Sequence, residues 1–260
     1  MNLFFSWLTG WAAVAVAMAI VWLVQRATRR ADWVDVAWTV GTGSLAVAFA
    51  LASDGDGARR ALIAALAGLW SLRLAWHLVA RLRNSREDGR YVRLRRRHGD
   101  SADAWLFGFF QAQALLCAFF AAPALIAARI PSPVGWPEIL GALVWAVAVT
   151  GETVADRQLR RFRDSSPESR VCRSGLWKYS RHPNYFFEWL HWWSYVVVGW
   201  QAPHGWLTLA APAAMLLLIR KVTGIPPTEE QALASRGEEY RRYQREVSPF
   251  FPWLPREGSP

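Results

Sequence analysis

From residue 3 to residue 222 the chain alternates long apolar stretches with short polar ones. The apolar blocks are 3–24, 34–52, 61–80, 104–128, 138–156, 184–200 and 204–222. Most approach the roughly 20 residues an α-helix needs to cross the hydrocarbon of a bilayer, and they lack the two-residue alternation of half-buried strands. The pattern predicts an all-α, polytopic membrane protein of about seven helices, residues 1–260 forming a single membrane domain. The blocks stop at 222, and residues 223–260 read as a charged amphipathic tail lying along the membrane surface.

Composition supports this picture and charge refines it. Hydrophobic residues make up 53% of the 260 positions, and the formal net charge is +10. That charge is concentrated. Eight arginines lie between Arg81 and Arg97, and seven more plus Lys178 lie between Arg157 and Arg181. Both clusters fall in connections between blocks, where basic residues fix orientation, so the excess is no sign of nucleic acid. Connections after the first, third, fifth and seventh blocks are basic and the others are not. This predicts an outside N-terminus, a cytosolic C-terminus and a multi-pass place in a bacterial inner membrane. The first block has no basic residue before it and reads as a retained helix instead of a cleaved signal. Cys117 sits in a block and Cys172 in a loop, a spacing that offers neither a metal site nor a structural disulfide. Nothing in the sequence calls for an obligate protein partner.

Some blocks carry charge where lipid would penalise it. With Pro183 as the first helical residue, the sixth block sets Asn184, Glu188, His191 and Tyr195 on one face at spacings of four, three and four. The neighbouring Tyr185, Trp189, Trp192 and Trp193 read as an interfacial aromatic girdle. In the fifth block Glu152, Asp156, Arg160 and Arg163 form a second stripe, acidic within the membrane and basic at its edge. Arg73, His77 and Arg81 are spaced by fours in the third block, and Asp35, Thr39 and Thr42 share a face of the second. Intramembrane charges each cost at least about 2.5 kcal/mol and normally face a bundle interior or a wet cavity. Four polar faces on one side predict a cavity for a charged ligand. Carboxylates and amide suit its hydroxyl or amino groups, and arginines suit its phosphates.

The stretches "GETVADRQLRRFR", "GLWKYSRHPNYFFEWLHWW" and "GIPPTEEQALASRGEEYRRYQREVSPFFPWLP" resemble the DUF1295 branch of the steroid 5-alpha-reductase superfamily, with "VDVAW" and "EDGRY" similar to its N-terminal landmarks. The resemblance implies a seven-helix membrane enzyme that holds NADPH and reduces a carbon–carbon double bond conjugated to a carbonyl in a lipophilic substrate. It assigns Glu152, Asp156, Arg160, Arg163, Tyr179, Asn184, Glu188 and Arg220 to the cofactor, and Arg181, His182, Tyr185, Glu229 and Tyr240 of the same motifs are expected to bind it with them. In the steroid reductases a third-helix tyrosine, helped by a second-helix carboxylate, meets the carbonyl. Asp35 stands where that carboxylate is expected. The third block here has no tyrosine, so the acid falls to Arg73 or His77, or to Tyr91 folded back from the following connection.

Two other readings share these residues. Isoprenylcysteine carboxyl methyltransferases also carry an Arg-His-Pro-x-Tyr stretch, here Arg181–Tyr185, and a later Glu-Glu with Tyr-x-x-Tyr, here Glu229, Glu230, Tyr240 and Tyr243. Their cofactor, S-adenosylmethionine, lacks the phosphates that Arg160 and Arg163 suit. A non-enzymatic lipid-binding membrane protein is the third reading, suggested by the missing tyrosine.

Overall fold

The computed structural model describes residues 3–83, 87–165 and 170–256. Among these residues every regular element is helical. The helices are α1 (Leu3–Thr28), α2 (Trp33–Ala52), α3 (Gly57–Arg83), α4 (Gly89–His98), α5 (Ala102–Ala127), α6 (Trp136–Ser165), α7 (Pro183–Gly199), α8 (Ala210–Leu217) and α9 (Ile225–Glu246). A short 3-10 turn, Gly175–Lys178, precedes α7, and a single π turn, Leu218–Val222, follows α8.

Six helical stretches are long and apolar enough to cross a membrane: Leu3–Thr28, Trp33–Ala52, Gly57–Arg83, Tyr91–Ala127, Trp136–Ser165 and Gly205–Glu246. In the fourth the apolar part is α5, because half of α4 is arginine; in the sixth it precedes Thr223, because α9 is densely charged. The polytopic membrane architecture stands, with six such helices where about seven were expected. The one that falls short is α7, whose 17 residues are fewer than the roughly 20 of a full span and include Asn184, Glu188 and His191. It does begin at Pro183, as its missing N–H favours. Two further boundaries differ. α6 continues past the apolar block to Ser165, since Asp156–Arg163 keeps helical spacing with good helix formers, and the 204–222 block is helix only in segments.

Two compact units divide the chain: Met1–Glu138 with Val198–Thr208, and Ile139–Val197 with Leu209–Pro260. In the first, α2 packs between α3 and α5, and α5 also packs against α1. Its core is aromatic and aliphatic, with Trp70, Phe110, Phe120, Ile63 and Leu106 fully buried and Trp38 set edge-on to Trp70 and Phe120. At one end the buried Arg59 guanidinium pairs with Glu138 at 2.8 Å and donates to the carbonyls of Ile130, Ser132 and Pro133. This clamp closes the start of α3 onto the start of α6.

In the second unit α6 and α7 approach closely. A Cβ on Gly151 would strike the ring of Phe187, so the glycine admits the contact. Phe186 and Trp189 on α7 pack against Phe250 and Phe251, and Trp189 Nε1 donates to the Pro212 carbonyl at 3.0 Å. Trp192 is 2% exposed. The expected girdle therefore turns at least Trp189 and Trp192 inward, because their indole N–H groups find partners inside the unit. α9 is broken at Gly237 (φ 54°, ψ −126°), a backbone conformation that side-chain-bearing residues rarely adopt.

Candidate functional site

In the second unit the four-residue spacings of α6 and α7 bring their polar faces together. Asn184 Nδ2 donates to Asp156 Oδ1 at 3.2 Å, and the Asn184 side-chain oxygen accepts the Tyr185 N–H at 3.1 Å. One turn further along α7, Glu188 Oε1 accepts the Trp192 indole N–H at 3.2 Å. Glu152 and Asp156 are buried, Asn184 and Glu188 half-buried. Beyond Asp156 the same α6 face presents Arg160 and Arg163, both exposed. Seven residues of helix carry Arg163 about 10 Å along the axis from Asp156. Acceptors among the helices thus grade into cations at the end of α6. Arg220 is exposed on the π turn, and Tyr179 is 38% exposed at the end of the 3-10 turn.

Arg181, His182, Glu229 and Tyr240, by contrast, meet one another. Glu229 Oε1 accepts from Arg181 Nε at 2.6 Å, His182 Nε2 at 3.2 Å and Tyr240 Oη at 3.3 Å, while its Oε2 accepts Gln244 Nε2 at 2.7 Å. Arg181 Nη1 also donates to the Gln244 and Val247 carbonyls. Tyr185 stacks on His182 (5.3 Å, 6°) and bonds Thr228; since Thr228 donates to Gly224, the phenol is the donor of that pair. Burial would raise the Glu229 carboxyl, but the hydrogen bonds from His182 and Arg181 prevail and hold it down, to about 2. Burial pushes His182 below its ordinary value, against the pull of Glu229. A neutral imidazole facing a carboxylate must place its proton on Nε2.

This knot belongs to a wider clasp. Ser180 Oγ donates to Phe250, the Arg181 N–H to Ser248, the Trp253 N–H to Tyr179, and Tyr243 Oη to Trp177. The residues before α7 are thereby tied to α9 and the segment after it.

In the first unit Tyr91 does fold back: as part of α4 it is 4% exposed and donates from Oη to Asp35 Oδ1 at 3.0 Å. Arg73 and His77 lie half-buried on α3. Around the turn between α1 and α2, Arg30 binds Asp32, Asp32 accepts the Asp88 N–H, and Glu87 accepts both the Ala31 N–H and Arg95. Sequence reasoning missed this network and the Arg59–Glu138 clamp. The network ties two connections to α4, the clamp joins the first turns of α3 and α6, and no helical period links partners so far apart.

The profile of a family described as a protein of unknown function, DUF1295, matches residues 21–247. The chain belongs to the DUF1295 family. No curated protein and no solved structure matches it at a significant level. For this DUF1295 protein, chemistry must be argued from its own side chains. No group of three or more His, Cys, Asp or Glu suited to a metal ion occurs among the described residues.

Proposed function

We propose that this DUF1295 protein reduces a carbon–carbon double bond conjugated to a carbonyl in a lipophilic, steroid-like or polyprenoid substrate, with NADPH as the reductant. The hydrogen bond from Tyr91 to Asp35 carries the reading, because it puts a phenol, absent from α3, onto the α2 carboxylate. The side chains of the second unit suit the cofactor. Asp156, Asn184 and Glu188 offer acceptors and an amide for ribose hydroxyls and the nicotinamide amide, and Arg160 and Arg163 offer cations for the diphosphate and 2′-phosphate. NADPH, when bound, supplies a hydride to the β-carbon of the substrate.

The protein's own task is to meet the charge that grows on the carbonyl oxygen. Tyr91 Oη has one hydrogen and donates it in a hydrogen bond to Asp35 in the resting protein. With substrate present the O–H turns from Asp35 to the carbonyl oxygen. The proton delivered to the enolate comes from Oη, which regains one from water. The Arg181–Glu229 knot keeps the start of α7 fixed, and so positions Asn184 and Glu188. The residues shared with the methyltransferases are those of the knot, which joins a loop to α9 whatever the cofactor. Arg160 and Arg163 are what favour a phosphorylated one.

Tyr91→Phe tests the reading. Loss of a positioned acid should lower the rate of NADPH-dependent enone reduction by about 10²–10⁴-fold. The apo protein should melt within about 1 kcal/mol of the wild type, the net worth of one hydrogen bond. An unchanged rate would remove Tyr91 from the chemistry.

A further inference from the structure

α4 is ten residues long, and its two faces differ. Tyr91 and Arg95, four apart, point inward: Tyr91 to Asp35, and Arg95 to Glu87 at 2.8 Å and Gln25 at 3.2 Å. Arg93, Arg96 and Arg97, at spacings of three and one, lie exposed on the other face. Of the nearby carboxylates, Asp32 pairs with Arg30, Asp88 with Arg81, Glu87 with Arg95 and Asp103 with Arg26, while Asp100 lies exposed just past the end of α4. Among the described residues no ion pair is recorded for the three outward arginines. At the end of the helix His98 stacks on Trp105 of α5, itself 39% exposed, and between α1 and α5 Trp22 lies edge-on to Phe107 with Arg26 over its face. The membrane-length helices α3 and α5 flank α4 in the chain. A short helix with a cationic outer face, indole rings beside it and lipid-crossing helices on both sides has the make-up of a segment lying in the headgroup layer.

We propose that α4 is a membrane-surface helix whose Arg93, Arg96 and Arg97 dock onto anionic lipid headgroups, and that this docking holds Tyr91 against Asp35. The docking follows from the exposed charge and its surroundings. Only its consequence for turnover rests on the function proposed above. Each cation at an anionic surface contributes about fivefold to affinity, so three are enough to fix a ten-residue helix in place.

The full chain, reconstituted into nanodiscs of phosphatidylcholine alone or of phosphatidylcholine with phosphatidylglycerol, supplies the test through hydrogen exchange of the amides of residues 89–98. Protection in the wild type should rise about tenfold or more when phosphatidylglycerol is present, and 1 M salt, which cuts the screening length to about 3 Å, should abolish the rise. The triple variant R93Q/R96Q/R97Q should lose the rise, and R93K/R96K/R97K, which keeps the charge, should retain it. Equal protection in both lipids would overturn the proposal. So would a matching rise with inorganic phosphate or a soluble nucleic acid in phosphatidylcholine discs, which would make the patch a site for something other than lipid. This readout needs no turnover. A protein that fails to reduce any enone yet protects α4 only in anionic discs would sink the reductase reading and leave the docking intact.

Discussion

Two polar groups lie close in sequence in the second unit, and they differ in how they end. In the knot both Glu229 oxygens accept bonds from side chains, and Arg181 is spent on one carboxylate and two carbonyls. In the stripe Asn184 on α7 meets Asp156 on α6, Glu188 accepts Trp192 within α7, and the pattern runs out into the exposed Arg160 and Arg163. A network that closes on itself contributes stability and position. One that ends in exposed cations presents positive charge at the surface. Residue type alone would not separate them, since both contain Arg, Glu and an amide.

Breaking the knot should have the largest effect. Arg181→Ala leaves Glu229 with a buried charge short of its main partner and should destabilise the apo protein by about 3–5 kcal/mol, read from unfolding in mild detergent. A melting temperature equal to the wild type would erase the distinction. Next comes the stripe. Glu188→Gln keeps shape but adds a donor, and should weaken NADPH binding by about 1–3 kcal/mol while the apo protein melts almost normally. A sharply lowered apo melting temperature with unchanged affinity would make Glu188 part of the scaffold instead. Arg163→Ala, at the exposed end, should cost about 1 kcal/mol in NADPH affinity and less in NADH affinity, leaving folding intact. Equal losses would move Arg163 to the diphosphate, and no loss for either would return it to a side chain that merely reaches water.

The smallest effect is a pH dependence of the knot itself. His182 titrates below its ordinary value of 6.5 in the folded protein because burial disfavours the cation. The unfolded chain therefore binds the proton first, so the contribution of His182 is complete above about 6.5 and declines as the pH falls below it. Comparing the melting temperature of wild type and His182→Gln between neutral and mildly acid pH checks this. A parallel decline in both proteins would assign the loss to another group.

Much of the scaffold is legible from local pattern. Apolar runs mark the helices, Pro183 marks where α7 begins, and spacings of four within "GETVADRQ" and "HPNYFFEW" place Asp156 and Asn184 on faces that do meet. What pattern cannot supply is partnership at long range. Arg181 and Glu229 stand 48 positions apart, Arg59 and Glu138 stand 79 apart, and nothing periodic links either pair. Tyr91 shows the intermediate case: the need for a phenol pointed to it, but only the turn of α4 toward α2 brings it to Asp35.

The long reach of the clasp also sets an order of events. Among the described residues, every hydrogen-bond partner of the Arg181 and His182 side chains lies at residue 229 or beyond. During synthesis α7 and α8 leave the ribosome before those partners do. Until then Arg181 and His182 have to wait in water, where a cation just ahead of an apolar segment resists being drawn across the bilayer. Once Glu229 emerges, the same charge becomes the anchor that fixes the start of α7 to α9.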